Sequence, residues 1–299
     1  MDVLEIIKQF DSKVPITDAI ICLAGILIFG SWLLKTSLGR NALANSAPRR
    51  NNMPLYLPFV PLLIWFGAVS AAISITRKFL AGLPGWQSVF LDNLILCIGA
   101  IATMIIIIFL VRGRFARRLK GFGLNPKTIF KDFFAAMVNL LSALPLVMLA
   151  IILTTSFGKL MWGQEFEMQK HQELELITAY PQLSVRVLII ITAVVIVPVF
   201  EEMLFRGLFQ TMIRSLLSRQ AYLVKHISHF ASRSNGAWLS IVISSGLFAM
   251  AHQTPGHWPA LFSLSICMGY AYEKSGSLFR PIFIHSFFNA ISITAALNQ

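Results

Sequence analysis

Seven side chains in the last third of the sequence could do chemistry, although they lie in or beside long apolar stretches. They form three clusters, a carboxylate pair with an arginine, a phenylalanine with a histidine, and a histidine with an asparagine: Glu201, Glu202, Arg206, Phe248, His252, His285 and Asn289. Polar and ionisable groups inside membrane segments are costly and usually functional. A carboxylate can activate water, and imidazole or amide groups can stabilise a developing oxyanion, so the set contains what hydrolysis of a peptide bond requires.

The first cluster predicts different roles for two adjacent carboxylates. Neighbouring positions of a helix point about 100° apart, so Glu201 and Glu202 cannot face the same point. Glu202 and Arg206 are four residues apart and share a face, where an ion pair can form. Glu201 is then left to point elsewhere, and Pro198 is expected to disturb the helix just before it. The alternative is that all three charges form a network that only fixes packing.

The second and third clusters each place two side chains on one helix face. His252 ends an apolar helix with Phe248 one turn before it, and His285 and Asn289 stand at positions i and i+4 of the last helix. The alternatives are a capping role for His252 and hydrogen bonds between helices for His285 and Asn289. His257, in the loop that follows His252, is expected to be a bystander.

Composition identifies the elements that must position these clusters. Of 299 residues, 56% are hydrophobic and 13% are charged, whereas soluble domains have about a quarter charged residues. Apolar runs of ~20 residues can span a bilayer, and inside it they must be helical. We therefore predict an all-α fold, a polytopic membrane helix bundle with about eight transmembrane helices. The expected helices are residues 16–34, 55–75, 89–111, 133–155, 184–217, 238–252, 258–273 and 281–297.

The helices divide into two parts. Residues 1–180 hold about four N-terminal membrane helices without an assignable motif, with a kink expected at Pro145, and residues 181–299 hold the three clusters. The segment 220–236, with His226 and His229, is expected to be an interfacial helix with solvated histidines. Three cysteines lie in apolar segments without a CxxC pair and are expected to be small buried hydrophobes: Cys22, Cys97 and Cys267.

The distribution of basic residues predicts the orientation of the bundle. If the helices alternate, 18 of the 25 Lys and Arg residues fall on one side and 7 on the other, where four glutamates of residues 165–175 also cluster. Basic loops stay in the cytoplasm, so both termini are expected to be extracytoplasmic. The net charge of +12 thus reflects topology and contact with membrane lipids rather than nucleic-acid binding. The N-terminal residues lack a cleaved signal pattern, and a bacterial inner (plasma) membrane is the expected location.

The three clusters in order resemble the motifs of a known family. The spacings EExxxR, FxxxH and HxxxN are similar to those of the CPBP family of CAAX proteases and bacteriocin-processing enzymes, which includes the type II CAAX prenyl endopeptidases. Here they stand as Glu201–Arg206, Phe248–His252 and His285–Asn289. The resemblance covers residues 184–297 and implies an intramembrane endopeptidase acting on a membrane-associated protein or peptide.

The resemblance also implies a role for each residue. Glu201 would be the general base on water, with His252 positioning that water, and His285 and Asn289 would stabilise the oxyanion. Structural support would come from the remaining members of the three motifs: Glu202, Arg206 and Phe248.

Zinc is the main alternative to this mechanism. The family has also been read as metal-dependent, and Glu201, His252 and His285 would then be the ligands. No HExxH pair is present and Asn289 is a poor zinc ligand, so a mechanism without a cofactor is favoured. A non-enzymatic membrane scaffold or a transporter is a further alternative, although the two halves of the chain are not alike.

The rise per residue of a helix gives the expected depth of each site residue along its helix. At 1.5 Å per residue, Glu201 lies ~25 Å along the fifth helix, His252 ~20 Å along the sixth from the opposite side, and His285 ~7 Å into the eighth. These depths converge if the sixth helix starts outside the membrane, or if the site lies in a cytosol-open cavity near the midplane. We expect the cytosol-open cavity, because hydrolysis needs a path for water.

Overall fold

The computed structural model of the chain describes residues 16–169, 172–223 and 233–298. Within these ranges the regular structure is helical, apart from one isolated bridge between Asn51 and Phe115. The predicted all-α class is therefore confirmed. The expected interfacial helix with His226 and His229 falls largely outside the described residues.

Eight long helices match the eight predicted apolar runs, with ends that differ by up to seven residues. Seven of them are α1 (Ile16–Lys35), α2 (Phe59–Phe79), α3 (Gly85–Arg112), α4 (Ile129–Trp162), α6 (Arg233–Met250), α7 (Trp258–Ser275) and α8 (Phe279–Leu297). The remaining one, α5, runs without a break through five helical segments, from Leu183–Ile191 to Thr211–Leu223. Pro145 lies inside α4.

The outer surface of the bundle is suited to lipid. Four helices of the described part, α2, α3, α4 and α5, are long and apolar enough to cross a membrane, and α1 and α6 contain shorter apolar helices. Large apolar side chains such as Phe130 and Leu160 are about four-fifths exposed, which is favourable only in an apolar solvent. These features confirm a polytopic membrane bundle. The number of crossings stays a prediction.

One end of the bundle, which we call the basic face, consists of the loops 36–58, 113–128 and 276–278. These loops are bonded to one another and to the helices around them. Glu273 accepts from Ser46 at 2.6 Å and from Arg214 at 3.3 Å, and Lys274 donates to the carbonyl of Ala42 at 2.7 Å. The basic face is therefore a closely bonded layer.

The other end, which we call the opposite face, consists of the loops 80–84, 163–182 and 251–257. A hydrophobic cluster there joins the starts of α3 and α5 to the end of α8 and to the short helix Gln172–Ala179. The loops also meet directly, because His257 Nε2 donates to the carbonyl of Gln169 at 2.7 Å.

Helix lengths differ in a way that creates space within the bundle. The helices α3 and α4 have 28 and 34 residues, about 42 and 51 Å at 1.5 Å per residue, whereas α6 and α7 have 18 residues each, about 27 Å. At the basic face α6 packs along Thr211–Leu223, the last segment of α5. Its other end, and the loop 251–257, are consequently recessed between longer neighbours.

Candidate active site

The carboxylate pair lies on α5 between two wide, π-helical turns. The segment Val197–Glu202 is α-helical, whereas Thr192–Ile196 before it and Met203–Gln210 after it are π-helical. Such turns leave backbone groups outside the regular ladder and are frequent at functional sites. The disturbance expected at Pro198 thus takes the form of a wide turn immediately before that residue.

Glu202 and Arg206 form the predicted ion pair. Arg206 Nε donates to Glu202 Oε2 at 2.8 Å, and both side chains are fully buried. A buried carboxylate and a buried guanidinium are tolerated only together, because either charge alone would lose its hydration without compensation. This prediction is confirmed, and it leaves Glu201 as the carboxylate directed elsewhere.

His285 stands between the two carboxylates. Its Nδ1 lies 3.3 Å from Glu202 Oε1, and its Nε2 lies 3.9 Å from Glu201 Oε2. Since a carboxylate oxygen accepts, Nδ1 is the donor in the shorter contact. The Glu201 side chain is 18% exposed, whereas Glu202 is inaccessible, so only Glu201 can meet a solvent molecule.

Phe248 is the aromatic centre of the site. Its ring is fully buried, 4.9 Å from the ring of His252 and 5.7 Å from that of His285, which it meets edge-on. The Arg206 guanidinium lies 5.1 Å from the centre of the same ring, within the range of a cation–π interaction. Phe248 therefore packs against members of all three motifs and fixes their relative positions.

His252 lies just past the end of α6, as expected, and is anchored on both sides. Its Nδ1 is 2.9 Å from the carbonyl oxygen of Phe248, so Nδ1 carries the proton. Its own carbonyl accepts from Trp258 Nε1 at 2.9 Å. In the neutral ring Nε2 is then the acceptor nitrogen, which is the form that can orient a water molecule.

Asn289 has a partner that the sequence did not indicate. Its Nδ2 donates to the carbonyl oxygen of Ala193 at 2.8 Å, across the gap between α8 and the wide turn of α5. The hydrogen bond between helices, weighed above as an alternative, is thus present. A primary amide has two N–H groups, so one further donor remains on the same nitrogen.

A cavity of about 460 Å³ connects these groups. The four residues predicted to be catalytic all line it, and the three predicted supports, Glu202, Arg206 and Phe248, are buried behind its wall. Most of the remaining wall is apolar: Leu96, Ile151, Leu174, Ile189, Val197, Leu261, Leu264, Phe288 and Ile293. Because α3 and α4 contribute to it, the first 180 residues also build the site.

Several further polar residues line the cavity without having been selected as site residues from the sequence: Asn93, Gln169, Glu173, Thr192, His257 and Ser292. His257, expected to be a bystander, lies at its edge beside Gln169. The Thr192 hydroxyl is buried in the wide turn of α5 and has no hydrogen-bond partner among the described residues. No spacing signal marks Thr192, because its position depends on the π-helical turn.

The cavity opens in the direction opposite to the one expected. Its lining includes Met168, Gln169, Glu173 and His257, which belong to the opposite face, and none of the described lining residues comes from loops of the basic face. A cytosol-open cavity and a cytoplasmic basic face, both expected from the sequence, therefore cannot hold together. The reason is the length difference between helices: α6 starts beside the extension of α5 and ends inside the bundle, which lowers His252 to the depth of Glu201.

Glu201, His252 and His285, the suggested zinc ligands, all border the cavity. Within residues 16–169, 172–223 and 233–298 no three His, Cys, Asp or Glu side chains are grouped so that they could hold a metal ion. Nδ1 of His252 is engaged with a carbonyl and Nδ1 of His285 with Glu202, so only the Nε2 atoms could reach a ligand in the cavity. These three residues share a cavity but are not grouped as a set of metal ligands, and a mechanism without a cofactor stays a prediction.

Comparison with known proteins agrees with the motifs. Residues 183–291, from the start of α5 into α8, match the family described as Type II CAAX prenyl endopeptidase Rce1-like. No curated protein and no solved structure matches the chain. The matched range contains all three motifs, and the family consists of membrane proteases, so both the resemblance and the predicted enzyme class are confirmed. The segment at residues 183–291 is thus similar to the CAAX proteases, and this match supports the membrane-protease class that the motifs predicted.

Proposed function

We propose that this protein cleaves a membrane-associated protein or peptide with a water molecule activated by Glu201. The single observation that carries the proposal is the separation of the seven motif residues around one wall. Glu201, His252, His285 and Asn289 line the cavity, and Glu202, Arg206 and Phe248 hold them from behind. The apolar remainder of the wall suits a segment that arrives from a lipid environment.

Glu201 has the properties of the general base. Its carboxylate is partly exposed in the cavity, whereas that of Glu202 is buried and engaged by Arg206 and His285. In the proposed step Glu201 takes a proton from water while the oxygen attacks the carbonyl carbon of the scissile bond. His252, with its proton on Nδ1, accepts a hydrogen bond from the same water through Nε2.

His285 and Asn289 are assigned to the oxyanion. Asn289 has a second N–H beside the one bonded to Ala193, and His285 would donate through Nε2 when both ring nitrogens are protonated. The carboxylates on either side of the ring offset the charge of that imidazolium. Collapse of the tetrahedral intermediate breaks the C–N bond, and Glu201 returns its proton to the leaving amine. The products are a carboxylic acid and an amine.

The proposed mechanism uses no metal ion. A carboxylate, two imidazoles and an amide supply the base and the donors that the reaction needs. Asn289 supports this assignment, because an amide N–H is a good donor and a poor ligand for zinc.

The experiment is a comparison of peptidase activity between matched variants. Detergent-purified wild-type protein is incubated with a library of membrane peptides, in parallel with Glu201→Gln and Glu175→Gln, the latter an exposed glutamate of the short helix Gln172–Ala179. We expect the wild type and Glu175→Gln to cleave the same peptides and Glu201→Gln to cleave none. Equal cleavage by Glu201→Gln would refute the assignment of the base.

A further inference from the structure

The side of the site that faces the basic face is closed by packing. From Met203 to Ile213 every residue of α5 is buried. Gly207 lies directly against the ring of Phe122, where an added Cβ would overlap it, and the Tyr272 hydroxyl donates to the carbonyl of Phe122 at 2.9 Å. The packed layer formed by Phe122, Gly207 and Tyr272 therefore leaves no path for a peptide between Glu201 and the basic face.

The side of the site that faces away from this layer is open along most of its length. Glu201, Val197, Ala193 and Ile189 line the cavity at successive turns of α5 and form one stripe along that helix. The stripe covers 12 residues, about 18 Å at 1.5 Å per residue. It ends at Ile189, which packs in one cluster with Leu174 and Ile177 of the short helix of the opposite face, so the cavity is a passage from that face to the base.

The two faces differ in charge as the two sides of a membrane do. In the described part of the chain, 16 Lys and Arg residues lie at or next to the basic face. Only Arg77, Lys78, Lys159 and Arg186 lie towards the other end, together with the glutamates of 165–175. Positively charged loops remain in the cytoplasm. The packed layer is then cytoplasmic and the passage extracytoplasmic.

We infer that the substrate of this protease reaches Glu201 from the extracytoplasmic side of the membrane. The inference rests on the proposed function, which names the reaction. It adds the side of the membrane from which the substrate enters. The expected substrates are then segments at the outer end of a transmembrane helix, or peptides held in the outer leaflet.

The test uses the accessibility of an engineered thiol and needs no enzymatic activity. In a background with Cys22, Cys97 and Cys267 replaced by alanine, Ser292→Cys places a thiol in the passage wall on α8, and Val197→Cys places a second one on α5. The matched control is Lys127→Cys, an exposed position of the basic face. Intact cells are treated with a small cationic methanethiosulfonate reagent that does not cross membranes, with and without Glu201→Gln.

We expect both passage variants to react in intact cells and Lys127→Cys to react only after the membrane is opened. Reaction of the passage thiols only in opened membranes would overturn the inference, because the passage would then face the cytoplasm. Failure to react in either preparation, while the denatured protein reacts, would overturn it as well. A protein that lacks peptidase activity would still give the labelling pattern, so failure of the proposed function is distinguishable.

Discussion

Asn289 Nδ2 donates a hydrogen bond of 2.8 Å to the backbone carbonyl of Ala193, eight residues before the proposed base on the partner helix. A carbonyl within a π-helical turn is available for such a bond because it is displaced from the regular ladder. One N–H of Asn289 therefore ties α8 to α5, and the other is the one assigned to the oxyanion.

Replacement of Asn289 separates these two contributions. Loss of an oxyanion donor costs about 2.7–4 kcal/mol, so Asn289→Ala should lower kcat by roughly 100- to 1000-fold with little change in KM. Loss of the bond to Ala193 should cost only about 0.6 kcal/mol of stability, the mean for hydrogen bonds between membrane helices. Thr294→Ala, an exposed position of the same helix whose hydroxyl bonds only within α8, is the control and should behave as wild type. A rate loss below tenfold would remove Asn289 from the oxyanion site.

Glutamine substitutions should have different effects at the two adjacent glutamates. Glu201→Gln keeps the shape of the cavity and removes the base, so we expect normal folded yield and no measurable turnover. Glu202→Gln leaves the buried guanidinium of Arg206 without its counter-charge, and breaking such a pair costs about 3–5 kcal/mol. Its folded yield should fall sharply. Size-exclusion profiles and turnover per folded molecule measure the two effects.

A double variant at the ion pair distinguishes folding from positioning. In Glu202→Gln combined with Arg206→Met no buried charge is left alone, so the folded yield should recover in part. Turnover should stay low, because His285 Nδ1 has lost the carboxylate at 3.3 Å that orients its ring. Full recovery of turnover in the double variant would show that the pair has no influence on the chemistry.

Two glycines of the bundle provide a matched test of the packed layer. Gly207→Ala would drive a methyl group into the ring of Phe122, and such overpacking typically costs about 1–3 kcal/mol. Gly246→Ala in α6 meets no neighbouring atom within 4 Å and should leave the thermal midpoint unchanged or slightly higher. Thermal unfolding in detergent measures both. Similar midpoints for the two variants would contradict the close contact between Gly207 and Phe122.

Metal removal should leave activity intact. If Glu201 acts directly on water, incubation with a strong zinc chelator followed by desalting should not change kcat, and the purified chain should contain far less than one metal ion per molecule. Variants of the suggested ligands are the control: His252→Ala and His285→Ala should not alter the metal content of the purified chain. One tightly bound ion per chain, with reversible loss of activity in chelator, would replace the glutamate mechanism by a zinc mechanism with Glu201, His252 and His285 as ligands.

The charge asymmetry that predicts the orientation of the passage also predicts that both termini are extracytoplasmic. Labelling at the termini tests this orientation at sites away from the passage. Single cysteines added at either end of the chain should react with an impermeant maleimide in intact cells. Reaction only after the membrane is opened would place both termini in the cytoplasm and invert the bundle. Protease digestion of tags at the two termini, in intact cells and in opened membranes, measures the same orientation independently.

Local regularities made most of the helices and motif pairs predictable. The apolar runs located all eight long helices because a buried polar backbone leaves a membrane segment little alternative to a helix. The four-residue spacing of Glu202 and Arg206 indicated their ion pair because such positions share a helix face. These inferences needed only the geometry of one helix at a time.

Features that depend on several helices together could not be predicted. The contact between Asn289 and Ala193 requires a wide turn that no residue pattern marks, and Thr192 owes its position in the cavity wall to the same turn. The combination of a cytosol-open cavity with a cytoplasmic basic face was predicted wrongly, because counting residues placed α6 as a full crossing. In the structure α6 is displaced along α5, so depth along one helix was a poor measure of depth in the bundle.

The short α6 and α7 also set a minimum reach for anything that is cleaved. Glu201 lies 18 residues from Leu183, where α5 begins at the opposite face, a distance of about 27 Å along the helix. An extended chain advances about 3.3 Å per residue, so about eight residues must be unfolded to span that distance. A helix that does not unwind, or a folded domain attached too close to the scissile bond, would stop short of the base. If substrates enter by this passage, its depth should select them by the length of their unstructured stretch, whatever their side chains.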